Sequence, residues 1–154
     1  MSRRVKQAAV VFILVFAAAQ FVRPQHVNPP ADPSRSIQAH VRTSGLGTVL
    51  DRACSDCHSS QTSWPWYTQV APMSWLMAYG VQEGRTAVNF SEWASYPPEK
   101  QRQLLVLSCR DVSQGRMPGL PYTLLHPEAR LSARDVATIC AAADQAVAGI
   151  EGTP

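Results

Sequence analysis

Five consecutive residues, Cys54-Ser55-Asp56-Cys57-His58, put two thiols and an imidazole within a little over one helical turn of chain. Such a cluster admits three chemistries: a thiol redox pair beside an unrelated histidine, part of a zinc knuckle, or the two anchors and iron ligand of a c-type haem. Each belongs to a particular compartment and needs a different fold around it, so the compartment has to be read first.

It is read from the N-terminus. Arg3, Arg4 and Lys6 precede an uncharged run over residues 8–22, and Ala17-Ala18-Ala19 offers a small-residue cleavage site, the pattern of an export signal. Retained and helical, the run reaches only about 22 Å, short of the ~30 Å hydrocarbon core, so flanking residues such as Gln7 and Gln20 would have to help it span. A cleaved signal and an inner-membrane anchor both remain open. Positive-inside orientation puts the rest of the chain in the periplasm either way. The same three basic residues account for the net charge of +3: without them, eleven basic residues face eleven acidic ones. A neutral body with no basic patch and no interleaved aromatics excludes nucleic acid as a partner.

Residues 1–22 are thus the signal peptide or membrane anchor. Residues 23–36 contain four prolines and no apolar periodicity, and read as an extended linker. Residues 37–150 form the domain. Helices are predicted near 46–53, from about Pro72 onward, after Tyr96-Pro97-Pro98, and from Ser132, where Asp135 three residues on makes a capping box. In the last, Val136, Ile139, Cys140, Ala143 and Val147 draw an apolar stripe at helical spacing. No stretch alternates as a strand would, so the fold is all-α. The connections 59–69, 89–98 and 116–131 are long and rich in aromatics and proline, which suits loops wrapped around a large apolar cofactor.

A thioredoxin-like pair opens a helix in a βαβ setting, where its thiolate is favoured, and no strands are predicted here. A zinc knuckle needs a second close ligand pair, and Cys109 and Cys140 stand apart. The haem reading uses Cys54 and Cys57 as thioether anchors and His58 as the iron's proximal ligand. For the distal position the sequence offers Met117, set in a non-helical Met-Pro turn between Gly115 and Gly119, against Met73, Met77 and His126. Met73 and Met77 share a helical face, where methionine is usually core. His126, before Pro127, fits a hydrogen bond at a turn.

Trp64, Trp66 and Tyr67 follow the motif closely and are expected to pack against the cofactor or cover one of its edges. Arg85 and Asn89 share a helical face at a spacing of four, and Arg85 either pairs with a haem propionate or is a solvated surface residue. Cys109 and Cys140 form a disulfide or stay as buried thiols.

The stretches CSDCHSSQTSWPWY, EGRTAVNFSEW, MPGLPY and LLHPEARLS together resemble the bacterial haem-binding domain family, small monohaem cytochrome c-like proteins with the C-x-x-C-H motif. The resemblance implies export, one covalent haem c, and a cytochrome c-type helical fold preceded by a signal or anchor helix. It implies Cys54 and Cys57 as anchors, His58 as proximal ligand and Met117 as distal ligand. Where the family usually has a second proline after Met-Pro, this chain has Gly119. The function so read is a periplasm-facing single-electron carrier, not an enzyme, that meets one or more redox partner proteins. The rival is a haem sensor or peroxidase-like enzyme with an open or displaceable distal position.

Overall fold

In the computed structural model, residues 2–41, 43 and 45–151 are described, with side chains through residue 148. The helices are α1 (Arg3–Ala19), α2 (Ile37–His40), α3 (Leu46–Ala53), α4 (Ser55–His58), α5 (Met73–Ala87), α6 (Pro98–Ser113), α7 (Leu120–Leu125) and α8 (Ala133–Glu151). Short 3-10 turns lie at Pro33–Arg35, Trp66–Gln69, Phe90–Ser95 and Pro127–Ala129, and the described residues contain no strand. The all-α expectation holds.

Local chemistry explains the boundaries. Pro98 occupies the first position of α6, where its missing N–H costs nothing. The helix ends in a Schellman motif: the Gly115 N–H donates to the Val112 carbonyl and the Arg116 N–H to that of Asp111. Gly115 supplies the left-handed φ of +66° that this motif requires. At the start of α8 the capping box is closed in both directions: the Asp135 N–H donates to Ser132 Oγ at 3.2 Å, and the Ser132 N–H to Asp135 Oδ2 at 2.8 Å.

Leu46, Val49, Leu50 and Ala53 put one apolar face of α3 inside. The first three join Ile37, Phe90, Trp93, Leu104, Leu105, Ile139 and Ala143 in a single core. Trp93, 1% exposed, is its largest fully buried side chain. Burying a side chain of that kind contributes about 2–3 kcal/mol. The α6 and α8 helices pack side by side, and Cys109 and Cys140 join them as a disulfide with Cα atoms 4.7 Å apart. Cross-linking residues 31 apart in sequence stabilises a chain by about 3–4 kcal/mol on the loop-entropy account.

The chain before the domain lies along it from Gln20 onward: the proline-rich segment is extended up to a 3-10 turn at Pro33–Arg35, and Asn28 Nδ2 donates to the Thr62 carbonyl at 2.8 Å. The Ala71 N–H donates to Gln20 Oε1 at 2.9 Å and Trp75 Nε1 to the Val22 carbonyl at 2.7 Å. Helix α1 buries none of its residues, and among the described residues no helix is long and apolar enough to cross a membrane.

Candidate functional site

The Cys54–His58 motif does not sit at the tail of one helix. Backbone φ −129° and ψ −34° at Cys54 break the chain after α3, and the single turn α4 restarts at Ser55. The α4 turn packs against α5, most closely at Gly84. A Cβ on Gly84 would lie 2.4 Å from the Cys57 carbonyl oxygen and 3.0 Å from Cys57 Cβ, closer than real atoms approach. Glycine there lets the backbone of the motif rest directly on α5.

His58 Nδ1 faces the Val88 carbonyl oxygen at 3.2 Å. A carbonyl can only accept, so Nδ1 carries the proton and Nε2 keeps its lone pair, the tautomer a metal-ligating histidine needs. Burial pushes the His58 pKa down and outweighs the carbonyls of Val88 and Gly84, which favour the charged ring. The two thiols are free and not paired with each other. Burial, with the neighbouring Cys57 charge adding to it, pushes the Cys54 thiol up to about 12. Burial and the Asp56 carboxylate push Cys57 up to about 11. Both are neutral thiols, the opposite of a low-pKa thioredoxin pair. Among the described residues no group of three or more His, Cys, Asp or Glu side chains has metal-binding geometry, so a zinc knuckle finds no second ligand pair there.

Cys54, Cys57 and His58 open onto one cleft, of about 210 Å³, walled by Leu50, Ala53, Val88, Phe90, Leu104, Leu107, Val112 and Ile139. Met117, Pro118, Gly119 and Tyr122 complete it. All four site residues predicted from sequence therefore meet in one place. For a haem the residues fit: apolar walls for the porphyrin, two neutral thiols for its vinyl groups, and an imidazole with a fixed lone pair for its iron. Met117 is 48% exposed, whereas Met77 is buried in α5, and neither Met77 nor Met73 reaches the cleft.

Asp56, between the two cysteines, ties the motif to the loop after it and to α7. Its Oδ1 accepts from the Ser63 N–H at 2.8 Å, its Oδ2 from the Tyr122 hydroxyl at 2.7 Å, and its carbonyl from Thr62 Oγ1 at 2.6 Å. Burial and the Asp56 carboxylate raise the Tyr122 pKa strongly, so the phenol keeps the proton it donates.

Several expectations are corrected. Trp64, Trp66 and Tyr67 do not line the cleft. Trp64 stacks on His26 at 4.3 Å and donates to Asn28, Trp66 is 79% exposed, and Tyr67 meets His126 Nε2. Phe90 and Tyr122 are the cleft's aromatics instead. Arg85 neither faces the cleft nor lies free on the surface. Its guanidinium donates to the Ser59 and Val27 carbonyls, Asn28 Oδ1 and Thr62 Oγ1, clamping the extended N-terminal segment to the loop after the motif. Asn89 is not on the same helical face, because α5 ends at Ala87 and the Asn89 side chain caps the following 3-10 turn. Gly115 serves the α6 terminus, and a Cβ there meets no protein atom within 4 Å. His126 does make the turn hydrogen bond, from Nδ1 to Glu128 Oε1 at 2.9 Å.

Gly84, Val88 and Tyr122 carry no sequence signal as plain as the pentapeptide's, and within the pentapeptide nothing marks the role of Asp56. The pair Gly80 and Gly84, four apart on a helix, is the available sign of close backbone approach. Tyr122 is hidden in a stretch whose prolines and glycine read as loop.

No curated protein and no solved structure matches the chain. The sequence pattern of the haem-binding domain matches residues 14–145. That span includes Cys54, Cys57 and His58, Gly84, Met117 and Tyr122, every part from which the cleft is built. The chain belongs to the haem-binding domain family.

Proposed function

We propose that this chain is a periplasm-facing c-type monohaem cytochrome of the cytochrome c-like helical type, a carrier of single electrons. Cys54 and Cys57 would anchor one haem c through thioethers, with His58 as proximal and Met117 as distal ligand. The bound haem would supply the one-electron centre. The protein's part is to bind it, orient it and tune it. The observation that carries the reading is the partly buried His58 ring, its Nδ1 proton tied to Val88 and both thiols opening on the same apolar cleft. A thioether opposite histidine favours the reduced iron and raises the potential, and burial adds to this. The disulfide between α6 and α8 supports an oxidising compartment. The basic start and apolar run of α1 support export, with either cleavage after Ala19 or retention as an inner-membrane anchor. The partners of such a carrier are redox proteins.

A second reading has one observation in its favour. Met117 is half exposed, on a loop outside the core, as a displaceable ligand would be. A haem sensor or a peroxidase-like enzyme would use it so.

Optical spectra of the purified protein, oxidised and reduced, with and without carbon monoxide, separate the two. For the carrier, the oxidised protein is low-spin and six-coordinate, with the weak red charge-transfer band of sulfur on ferric iron. Met117→Ala abolishes that band, lowers the potential and opens the iron to carbon monoxide, while Met73→Leu, Met77→Leu and His126→Ala keep it. A wild type that binds carbon monoxide avidly transfers the case to the sensor or enzyme. A band that survives Met117→Ala ends the distal assignment.

A further inference from the structure

The segment that bears Met117 is attached to the domain in an unusual way. Its ends are fixed: the Schellman motif holds it at Gly115, and Ala129, fully buried, holds it beyond α7. Between these points the core has little grip. In α7 only Thr123 is buried, and Leu120 and Leu124 are 71% and 63% exposed. Apolar burial therefore supplies little of what keeps residues 117–126 beside the attachment motif.

Polar contacts supply it. The Tyr122 hydroxyl donates to Asp56 Oδ2 at 2.7 Å, a neutral phenol on a carboxylate that lies between the two anchoring cysteines. The Tyr122 ring stacks on His126 with centroids 4.3 Å apart and planes 18° from parallel. His126 Nε2 in turn meets the Tyr67 hydroxyl, on the turn beyond the motif. Tyr122 lines the same cleft as Met117, five residues further along the chain.

We infer that the Tyr122–Asp56 hydrogen bond is the latch that holds the Met117 segment over the cleft, with Tyr122 a positioning residue for the distal ligand. This rests on the reading of Met117 as that ligand. A hydrogen bond to a charged acceptor is among the stronger polar contacts, and half burial of Tyr122 strengthens it further. Its loss lets the segment open about its two fixed ends and carries the thioether away from the iron. A haem fixed at Cys54, Cys57 and His58 stays in place.

The test uses the full-length holoprotein with Tyr122→Phe, which keeps the ring and its stacking, with Asp56→Ala, and with both together. Amide hydrogen exchange over residues 117–126 reads the latch, and the rate at which ferric protein takes up cyanide reads the thioether. Each single variant is expected to raise both by roughly tenfold, the size of one charge-assisted hydrogen bond. The double variant rises no further than the larger single, because both remove the same contact. Unchanged exchange in Tyr122→Phe, unchanged cyanide uptake, or additive effects in the double variant overturns the latch. Met117→Ala keeps the two readings apart: if it leaves the sulfur band in place, the distal assignment fails, and exchange alone still judges the latch.

Discussion

The two sides of the cleft are built on opposite principles. The attachment side is continuous with the core: Leu50 and Ala53 of α3 are buried, Gly84 brings α5 into backbone contact with Cys57, and the Val88 carbonyl fixes the His58 ring. The Met117 side stands outside the core, with exposed leucines and a phenol–carboxylate contact in place of packing. A covalently held group needs an unmoving base, and close packing gives one. A ligand held by polar contacts on a half-exposed loop is free to be exchanged by breaking one or two bonds. On the proposed ligation, the difference teaches where to look for tuning: changes on the attachment side should alter whether a folded holoprotein exists, and changes on the Met117 side should alter what the iron binds and with it the potential.

The largest expected effect breaks the attachment side outright. In wild type, acid-acetone extraction should leave the haem on the polypeptide, and the intact mass should include one haem. Cys54→Ala with Cys57→Ala should render any retained haem fully extractable and return the mass to that of the bare chain. Extractable haem in wild type would refute covalent attachment, and with it the asymmetry between the two sides.

A smaller effect sharpens the contrast within α5. Gly84→Ala places a methyl 2.4 Å from the Cys57 carbonyl oxygen, backbone against backbone, where no side chain can swing aside. The helix must shift from the motif, at a cost of about 2–3 kcal/mol in urea unfolding. Gly80→Ala, one turn earlier, meets nothing within 4 Å and should be neutral or stabilising by up to about 1 kcal/mol through helix propensity. Equal effects at the two positions would mean that the close approach at Cys57 carries no particular weight.

How far the sequence discloses this arrangement differs between the two sides, for physical reasons. The attachment side is written in local signals. The pentapeptide names its own chemistry, the apolar spacing of Leu46, Val49, Leu50 and Ala53 gives α3, and the Ser132–Asp135 pair marks the start of α8. The Met117 side is written in contacts across 59 to 66 residues, which no local pattern carries: Tyr67 to His126, and Asp56 to Tyr122. Met117 itself is legible, because a Met-Pro turn between two glycines suits neither a helix nor a core. Helix α7 is not, since Pro121 and Gly119 read as loop residues although proline is acceptable in a first helical turn. Arg85 misleads for a related reason. Its four acceptors lie on the loop after the motif and on the extended N-terminal segment, and a linker of prolines gives no sign that it will dock.

The smallest expected effect belongs to the hinge between the two sides. Gly115 adopts φ +66° as the residue that ends α6 and launches the Met117 loop, and there is open protein space where its side chain would be. Gly115→Ala therefore clashes with no protein atom and is penalised only by the left-handed conformation, at about 1 kcal/mol. Gly119 has an ordinary φ of −63°, and a Cβ there lies 3.8 Å from Pro121 Cδ, so Gly119→Ala should be close to neutral. Because the strain at Gly115 falls between the core helix and the loop, it has two ways to relax: the last turn of α6 frays, or the loop reorients. Fraying is opposed by buried Val112 and by the α6–α8 disulfide, while the loop is opposed chiefly by the Tyr122 contact. The loop should therefore yield first. Ferric Gly115→Ala is expected to show a weaker sulfur-to-iron band and cyanide uptake a few-fold faster than wild type, with its urea midpoint lowered only slightly. A lowered midpoint with an unaltered band would place the strain in α6 instead, and would make the Met117 side stiffer than its exposure implies.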